Sequence, residues 1–370
     1  MKRTVICSAL FAATALSSQG VHAQSSVTLY GRVDNGVTFV DNETGSRNTK
    51  LDSGIYYPNI WGLTGHEDLG GGNMVVFKLE GLFDLNSGKM LPANTEFAHQ
   101  ALVGIETAYG RITMGYQYDL TVDFFNQFNV SAQGSGYAVH QGDFDHTNND
   151  RIANSIKYTS PTYNGLQFGA MYGFSNTAGN FHDGSAWSVG GQYANGPLTI
   201  GAAYSFQATP TLDPYAQIGV HSFFGVPTVK GTGSTTTDLQ PEFTIHSLGT
   251  FGIGASYAIG DLTLYGNFTD STLKYQSYAS VMHVYEGGAT YLATPSVQFV
   301  LGYQHTGFQG HKWNQVTAGA QYFLSKRTQI YISSDYLKAS AGVDAILGEA
   351  LAPSSTAQQA DVRIGIVHAF

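Results

Sequence analysis

The chain has 370 residues, and its 17 Lys+Arg against 26 Asp+Glu leave a formal charge of −9, which speaks against a nucleic-acid partner because phosphate binding needs a basic surface. Only 12% of the residues are charged while 45 are glycine and 13% aromatic, a mixture unlike a soluble domain with about a quarter of its residues charged. No apolar run reaches the ~18 residues of a membrane helix, so residence in a membrane would require a closed β-barrel.

Residues 1–23 read as a secretory signal. Lys2 and Arg3 precede the apolar run from Val5 to Leu16, and Val21-His22-Ala23 ends it with a cleavage site after Ala23. The single cysteine, Cys7, lies inside this segment, so residues 24–370 have no thiol for a disulfide or a thiolate metal site. Removing Lys2 and Arg3 leaves 15 Lys+Arg against 26 Asp+Glu, a formal −11. No linker or change of composition divides the remainder, which reads as one large domain over 24–370.

Period two dominates that domain. Val27, Leu29, Gly31 and Val33 fall on one face and Thr28, Tyr30, Arg32 and Asp34 on the other, the apolar-out, polar-in alternation of a barrel wall. Similar segments follow at Asn59–His66, Met74–Asp84, Phe97–Glu106, Arg111–Tyr118, Arg151–Ser160, Leu166–Gly173, Trp187–Tyr193 and Leu198–Phe206. The second half adds Thr250–Tyr257, Leu262–Thr269, His283–Tyr291, Ser296–Thr306, Asn314–Tyr322, Thr328–Tyr336 and Val362–Phe370. Sixteen antiparallel strands is an even number, as a single-chain bacterial barrel requires. Short turns such as Ala194-Asn195-Gly196-Pro197 and Ala258-Ile259-Gly260-Asp261 alternate with long connections at Asp119–Asp150, Gln207–Glu242 and Lys338–Asp361. That asymmetry belongs to outer-membrane barrels, with short turns in the periplasm and long loops outside. Aromatics gather beside the turns, at Tyr158, Tyr193, Tyr257, Tyr291, Tyr322 and Phe323, where an interfacial girdle is expected.

Several stretches carry a family likeness: Ser26-Val27-Thr28-Leu29-Tyr30-Gly31, Glu67-Asp68-Leu69-Gly70-Gly71-Gly72, Asn154-Ser155-Ile156-Lys157-Tyr158-Thr159-Ser160-Pro161, Phe168-Gly169-Ala170-Met171-Tyr172, Phe323-Leu324-Ser325-Lys326-Arg327-Thr328 and the terminal Phe370. Together they resemble the Gram-negative trimeric porins of the betaproteobacterial type, from one end of the mature chain to the other. The resemblance implies a sixteen-stranded barrel in the cell outer membrane, a homotrimer packed through the first strands, and a third loop folded into the lumen as a constriction. It implies a general diffusion porin for small hydrophilic solutes and ions. Its surroundings would be outer-membrane lipids and lipopolysaccharide, and the aromatic carboxy-terminus resembles a signal for the barrel-assembly machinery.

A diffusion channel ranks solutes by opposed basic and acidic side chains at its narrowest point. In the family pattern the basic side comes from inward arginines and the acidic side from the third loop; Arg32 and Arg151 fit the former, Asp119 and Asp123 the latter. Ile60, His99 and Tyr116 stand where many relatives carry arginine, so the basic wall is thinned, and Tyr118 joins them as a pore-lining candidate. Near-cancelling local charges and an acidic chain predict a weak cation preference, with His99 shifting it toward anions at low pH. Phe124-Phe125-Asn126-Gln127-Phe128-Asn129 either lines an aromatic, amide-rich eyelet suited to sugars or aromatic solutes, or anchors the loop to the wall. A solute-specific channel on the same barrel is the near alternative.

Asp143-Phe144-Asp145-His146 offers two carboxylates and an imidazole, an incomplete cation site, so neither metal nor cofactor is expected. Eleven histidines remain after the signal, none in an H-E-x-x-H spacing, and neither a G-x-S-x-G elbow nor a phosphate-binding loop occurs. A barrel enzyme or adhesin is the alternative of another class, and the chain reads as not an enzyme.

Overall fold

The computed structural model describes residues 25–231, 236–239, 242–348 and 351–370. The expected signal, 1–23, lies outside them. Sixteen wall positions close into one antiparallel barrel. In chain order they are β1 (Ser26–Glu43), β2 (in two segments, Ser46–Ser53 and Ile60–Gly70), β3 (Asn73–Phe83), β4 (Met90–Leu91 and Gln100–Thr107), β5 (Gly110–Tyr118), β6 (Arg151–Thr159), β7 (Leu166–Gly173) and β8 (Ala186–Asn195). The other half comprises β9 (Leu198–Ala208), β10 (Ser247–Ile259), β11 (Leu262–Tyr275), β12 (Tyr278–Thr294), β13 (Val297–Phe308), β14 (His311–Phe323), β15 (Thr328–Ala339) and β16 (Gln358–Ala369). Closure is made by β1 against β16, where Arg32 to Val40 pair with Ala369 back to Asp361. No helix of the described residues is long and apolar enough to cross a membrane.

The alternation read from the sequence sets the facing. Leu264, Phe299 and Leu301 stand 44%, 48% and 59% exposed on the outer wall, while Val300 between the last two is 3% exposed and points in. Tyr193, Tyr257, Tyr291 and Tyr322 are exposed beside the short turns, as a girdle requires.

Several strands run further outward than their polar-in pattern predicts. Leu248, Leu273, Met282, Val284, Phe308, Trp313 and Leu337 point inward at that end, and water does not cover them. The ninth-to-tenth-strand connection (Leu212, Ile218, Val220, Phe223, Phe243) and the last loop (Val343, Ala345, Leu347, Leu351) fold back over them into one apolar core. With apolar residues on both faces, the contrast that marks a half-wetted strand disappears.

The third loop, 119–150, starts with the short helix α1 (Leu120–Phe124) and then follows the inner wall. Wall glycines make room for it. Gly190 on β8 lies under Phe124, Gly252 on β10 under Phe125, Gly254 under Phe128, Gly288 on β12 under Val130 and Gly302 on β13 under Ser131. Beyond these, Gly134 of the loop packs on Gly319 of β14. Polar anchors alternate with these contacts: Asn267 donates to the Phe128 carbonyl at 2.9 Å, Glu286 accepts from the Ser131 amide at 2.7 Å, and the Tyr137 hydroxyl donates to Asp52 at 2.5 Å. The loop thus lines β7 to β15 and reaches the break in β2.

Candidate functional site

What the loop leaves open is a passage beside β1 to β7. On the side of the short turns it is a cavity of about 1020 Å³ bordered by Lys78, Glu106, Arg111, Asp123 and Lys157 among others. Deeper in, a space of about 540 Å³ separates wall residues Arg32, Tyr57 and Tyr118 from loop residues Asn126, Gln133 and Asn148. One side is therefore cationic and phenolic and the other is built of amides.

The cationic side is held by stacking. The Arg32 guanidinium lies 4.3 Å from the centroid of the Tyr57 ring and its Nε donates to the Pro58 carbonyl at 3.5 Å. Arg151 lies 4.8 Å from the centroid of the Tyr118 ring and donates to its hydroxyl at 3.3 Å. Cation–π contact of this kind fixes a guanidinium while leaving its charge uncancelled. From Tyr118 a chain of hydrogen bonds runs along the wall: its hydroxyl meets His99 at 2.8 Å, His99 meets Glu80 at 2.9 Å, and Glu80 also accepts from Tyr30 at 2.6 Å and from Gln100 at 2.7 Å. Lys78 stands 3.7 Å from the same carboxylate. Glu80 is thus hydrogen-bonded on several sides and fixed on the wall.

A barrel with an inward-folded loop over an aqueous passage invites comparison with known channels, and a model of Gram-negative porins matches residues 9–342. The chain belongs to the Gram-negative porin family. An outer membrane porin of Bordetella pertussis is 29% identical, over 91% of this chain and 94% of its own. The outer membrane porin protein 32 of Delftia acidovorans is 28% identical over the full length of both. Among solved structures, an anion-selective porin from Comamonas acidovorans superposes with a TM-score of 0.77 at 23% identity, covering 94% of this chain and all of that one, a likeness of fold. The cell outer membrane is the location that the family, the relatives and the barrel agree on.

Within this porin the eight expected pore residues separate into groups. Arg32, Tyr118 and Arg151 come together on the wall, and Ile60, cross-strand partner of Arg32, is inward and buried beside it. Asp123 borders the larger cavity, but Lys157 donates to it at 2.7 Å and cancels its charge. His99 is only 4% exposed with both ring nitrogens engaged, so it does not present a free imidazole to the bore.

Two expectations are corrected. Tyr116 lies opposite Ala101, on the face that carries the exposed Val103 and Met114, so it points away from the lumen. A register shift between Gly115 and Gln117 is what separates it from Tyr118, two residues on. Asp119 is fully buried: it caps α1, accepting from the Leu120 amide at 2.5 Å, and faces Ser188 and Ser205 behind the loop. Burial, and after it the neighbouring Asp150, push its carboxyl above the usual carboxylate range.

The three phenylalanines anchor rather than line, since Phe124, Phe125 and Phe128 are at most 2% exposed. Asp143, Asp145 and His146 diverge. Asp143 accepts from the Thr147 and Asn148 amides at 3.0 Å each, Asp145 pairs with His140 at 2.5 Å, and His146 pairs with Asp150 at 3.2 Å. Lys78, Glu80 and Lys157 join the site without having been expected there, although period two in their own strands turns each of them inward.

Proposed function

We propose that this porin is a general diffusion channel passing small hydrophilic solutes and ions, narrowed by its third loop, with a weak preference for anions. The observation that carries the sign is the fate of the four charges. Among the described residues Arg32 and Arg151 have no carboxylate within the 4.0 Å of an ion pair, while Asp119 is buried behind the loop and Asp123 is paired with Lys157. This reverses the weak cation preference expected from the sequence, where both aspartates were set against the arginines.

A general rather than solute-specific channel is favoured because the ring faces of Tyr57 and Tyr118 are occupied by guanidinium groups and the loop phenylalanines face the wall. Assembly as a homotrimer is part of the same reading. Its support is the smooth outer face of the opening strands, where the Phe370 ring covers Gly31 and the Phe77 ring covers Gly65.

Reversal potentials across a salt gradient test the channel reading. A weak anion preference at 0.1 M salt should fade at 1 M, as the screening length falls from ~10 Å to ~3 Å. A cation preference at neutral pH would overturn the sign, saturating block of the current by one solute class would overturn the general reading, and a monomeric mass in mild detergent would overturn the trimer.

A further inference from the structure

His99 stands at the loop-side end of β4 and is tied twice to Glu80 of β3. Its amide donates to the Glu80 carbonyl at 3.0 Å, and its Nδ1 lies 2.9 Å from the Glu80 carboxylate. That carboxylate is itself held from two sides, by Tyr30 of β1 at 2.6 Å and by Gln100 of β4 at 2.7 Å. An ionised carboxylate offers only acceptors, so Nδ1 carries the proton and Nε2 of a neutral ring is left to accept. The Tyr118 hydroxyl, 2.8 Å away, donates the one hydrogen it has, which leaves its oxygen to accept from Arg151 at 3.3 Å. Each link then has one donor and one acceptor, in a single direction from guanidinium to phenol to imidazole to carboxylate.

The near end of this chain lies at the passage. Tyr118 is the cross-strand partner of Arg151. Among the described residues its hydroxyl is the one hydrogen-bond partner of the Arg151 side chain, whose Nε is buried with none. The same tyrosine ring carries the guanidinium at 4.8 Å, so Arg151 rests on Tyr118 by both contacts. The His99 ring in turn meets the Tyr118 ring edge-on, with 5.4 Å between centroids, and holds the tyrosine by packing as well as by the hydrogen bond. Arg32 does not depend on this arrangement, because its supports are the Tyr57 ring and the Pro58 carbonyl. His99 is itself only 4% exposed, and replacing a neutral imidazole by an uncharged side chain takes no charge out of the bore.

We propose that His99 is a positioning residue of the passage: it fixes the Tyr118 hydroxyl, and through it the Arg151 guanidinium, and so sustains the anion preference without touching the solute. This role rests on the channel reading above, in which Arg151 supplies part of that preference. Reversal potentials of the full-length porin in planar bilayers, at ~0.1 M salt where the screening length is ~10 Å, test it through double-mutant cycles. His99→Phe and His99→Leu remove both side-chain hydrogen bonds at different volumes, and each should move the potential toward cations by part of the shift that Arg151→Ala causes. Neither should add to the shift in an Arg151→Ala background, whereas the effect should remain whole in an Arg32→Ala background. His99→Gln, whose amide both donates and accepts, should keep most of the parent's preference. A shift in Arg151→Ala with none in His99→Phe and His99→Leu would overturn this role alone. So would a His99 effect that persists without Arg151, or a His99→Gln as altered as His99→Leu, since each would mean a general disturbance of the wall. A silent Arg151→Ala would overturn the selectivity reading itself, and the role of His99 with it.

Discussion

Ser131 of the third loop rests directly on Gly302 of β13: a Cβ on that glycine would stand 2.9 Å from the serine Cα, closer than real Cβ atoms approach. The contact is one of a series in which the wall surrenders side chains so that the loop can lie flat. Glycine weakens a strand interior, so its repeated use along one path marks close approach by another backbone.

Gly302→Val should therefore lift the loop at Ser131, at a cost of about 1–3 kcal/mol for overpacking. Single-channel recordings are expected to show larger and noisier openings than the parent. A silent conductance with unchanged thermal stability would mean that the loop does not rest there.

The facing of the wall makes a separate prediction. Phe299 lies outward at 48% exposure, whereas Gln298 pairs with Gln321, whose amide reaches the loop side of the wall. Phe299→Arg should destabilise the barrel by about 2–4 kcal/mol near the bilayer midplane, while Gln298→Arg should be mild. Urea unfolding in vesicles measures both, and equal effects would refute the assignment.

A third prediction concerns alkaline pH. His140 of the loop is fully buried between Asp145 at 2.5 Å and Glu286 at 3.1 Å. Burial opposes its charge, but the two carboxylates prevail and push it up to about 10, while Asp145 is held below the usual range. A raised histidine stabilises fully below its unfolded value of ~6.5 and loses that contribution as pH rises through about 10. The depressed Asp145 contributes above ~3.9 and loses it only in stronger acid. The loop should be most secure between pH ~4 and ~6.5 and loosen progressively as pH rises from there to about 10, seen as current noise that is absent at pH ~6. His140→Gln should abolish that alkaline step, and its persistence in the variant would assign the step elsewhere.

Much of this was legible in the residues. The wall follows from period two because one face meets hydrocarbon and the other water, and the number of strands and the short turns were found with ends within a few residues on the turn side. Legibility failed where that contrast failed. Met282 and Val284 point inward yet are apolar, because folded loops rather than water cover them, so the outer part of β12 did not look like a strand. At the site, Arg32 was readable from its facing, and Arg151 from the family resemblance at the exit of the third loop. Asp119 was not, since nothing in its neighbours reveals that a helix cap would turn it behind the loop, and Tyr116 was misread because a bulge shifts the face without leaving a periodic trace.

The last prediction returns to selectivity, where the two loop aspartates should behave differently although they are four residues apart. Asp119 is buried and capping α1, so Asp119→Asn should leave the reversal potential almost unchanged and cost little loop stability, because asparagine caps a helix about as well as aspartate. Asp123 borders the passage and balances Lys157 at 2.7 Å. Asp123→Asn should free that lysine and move the preference further toward anions, and Lys157→Met should free the aspartate and move it toward cations. Arg32→Ala and Arg151→Ala should each move it the same way as Lys157→Met, since each removes a positive charge that has no carboxylate within 4.0 Å among the described residues. All four shifts should shrink at 1 M salt, where screening acts within ~3 Å. If Asp119→Asn shifted the reversal potential as much as Asp123→Asn, the buried carboxylate would have to be part of the conducting path, and the assignment of the passage to the side of β1 to β7 would fall with it.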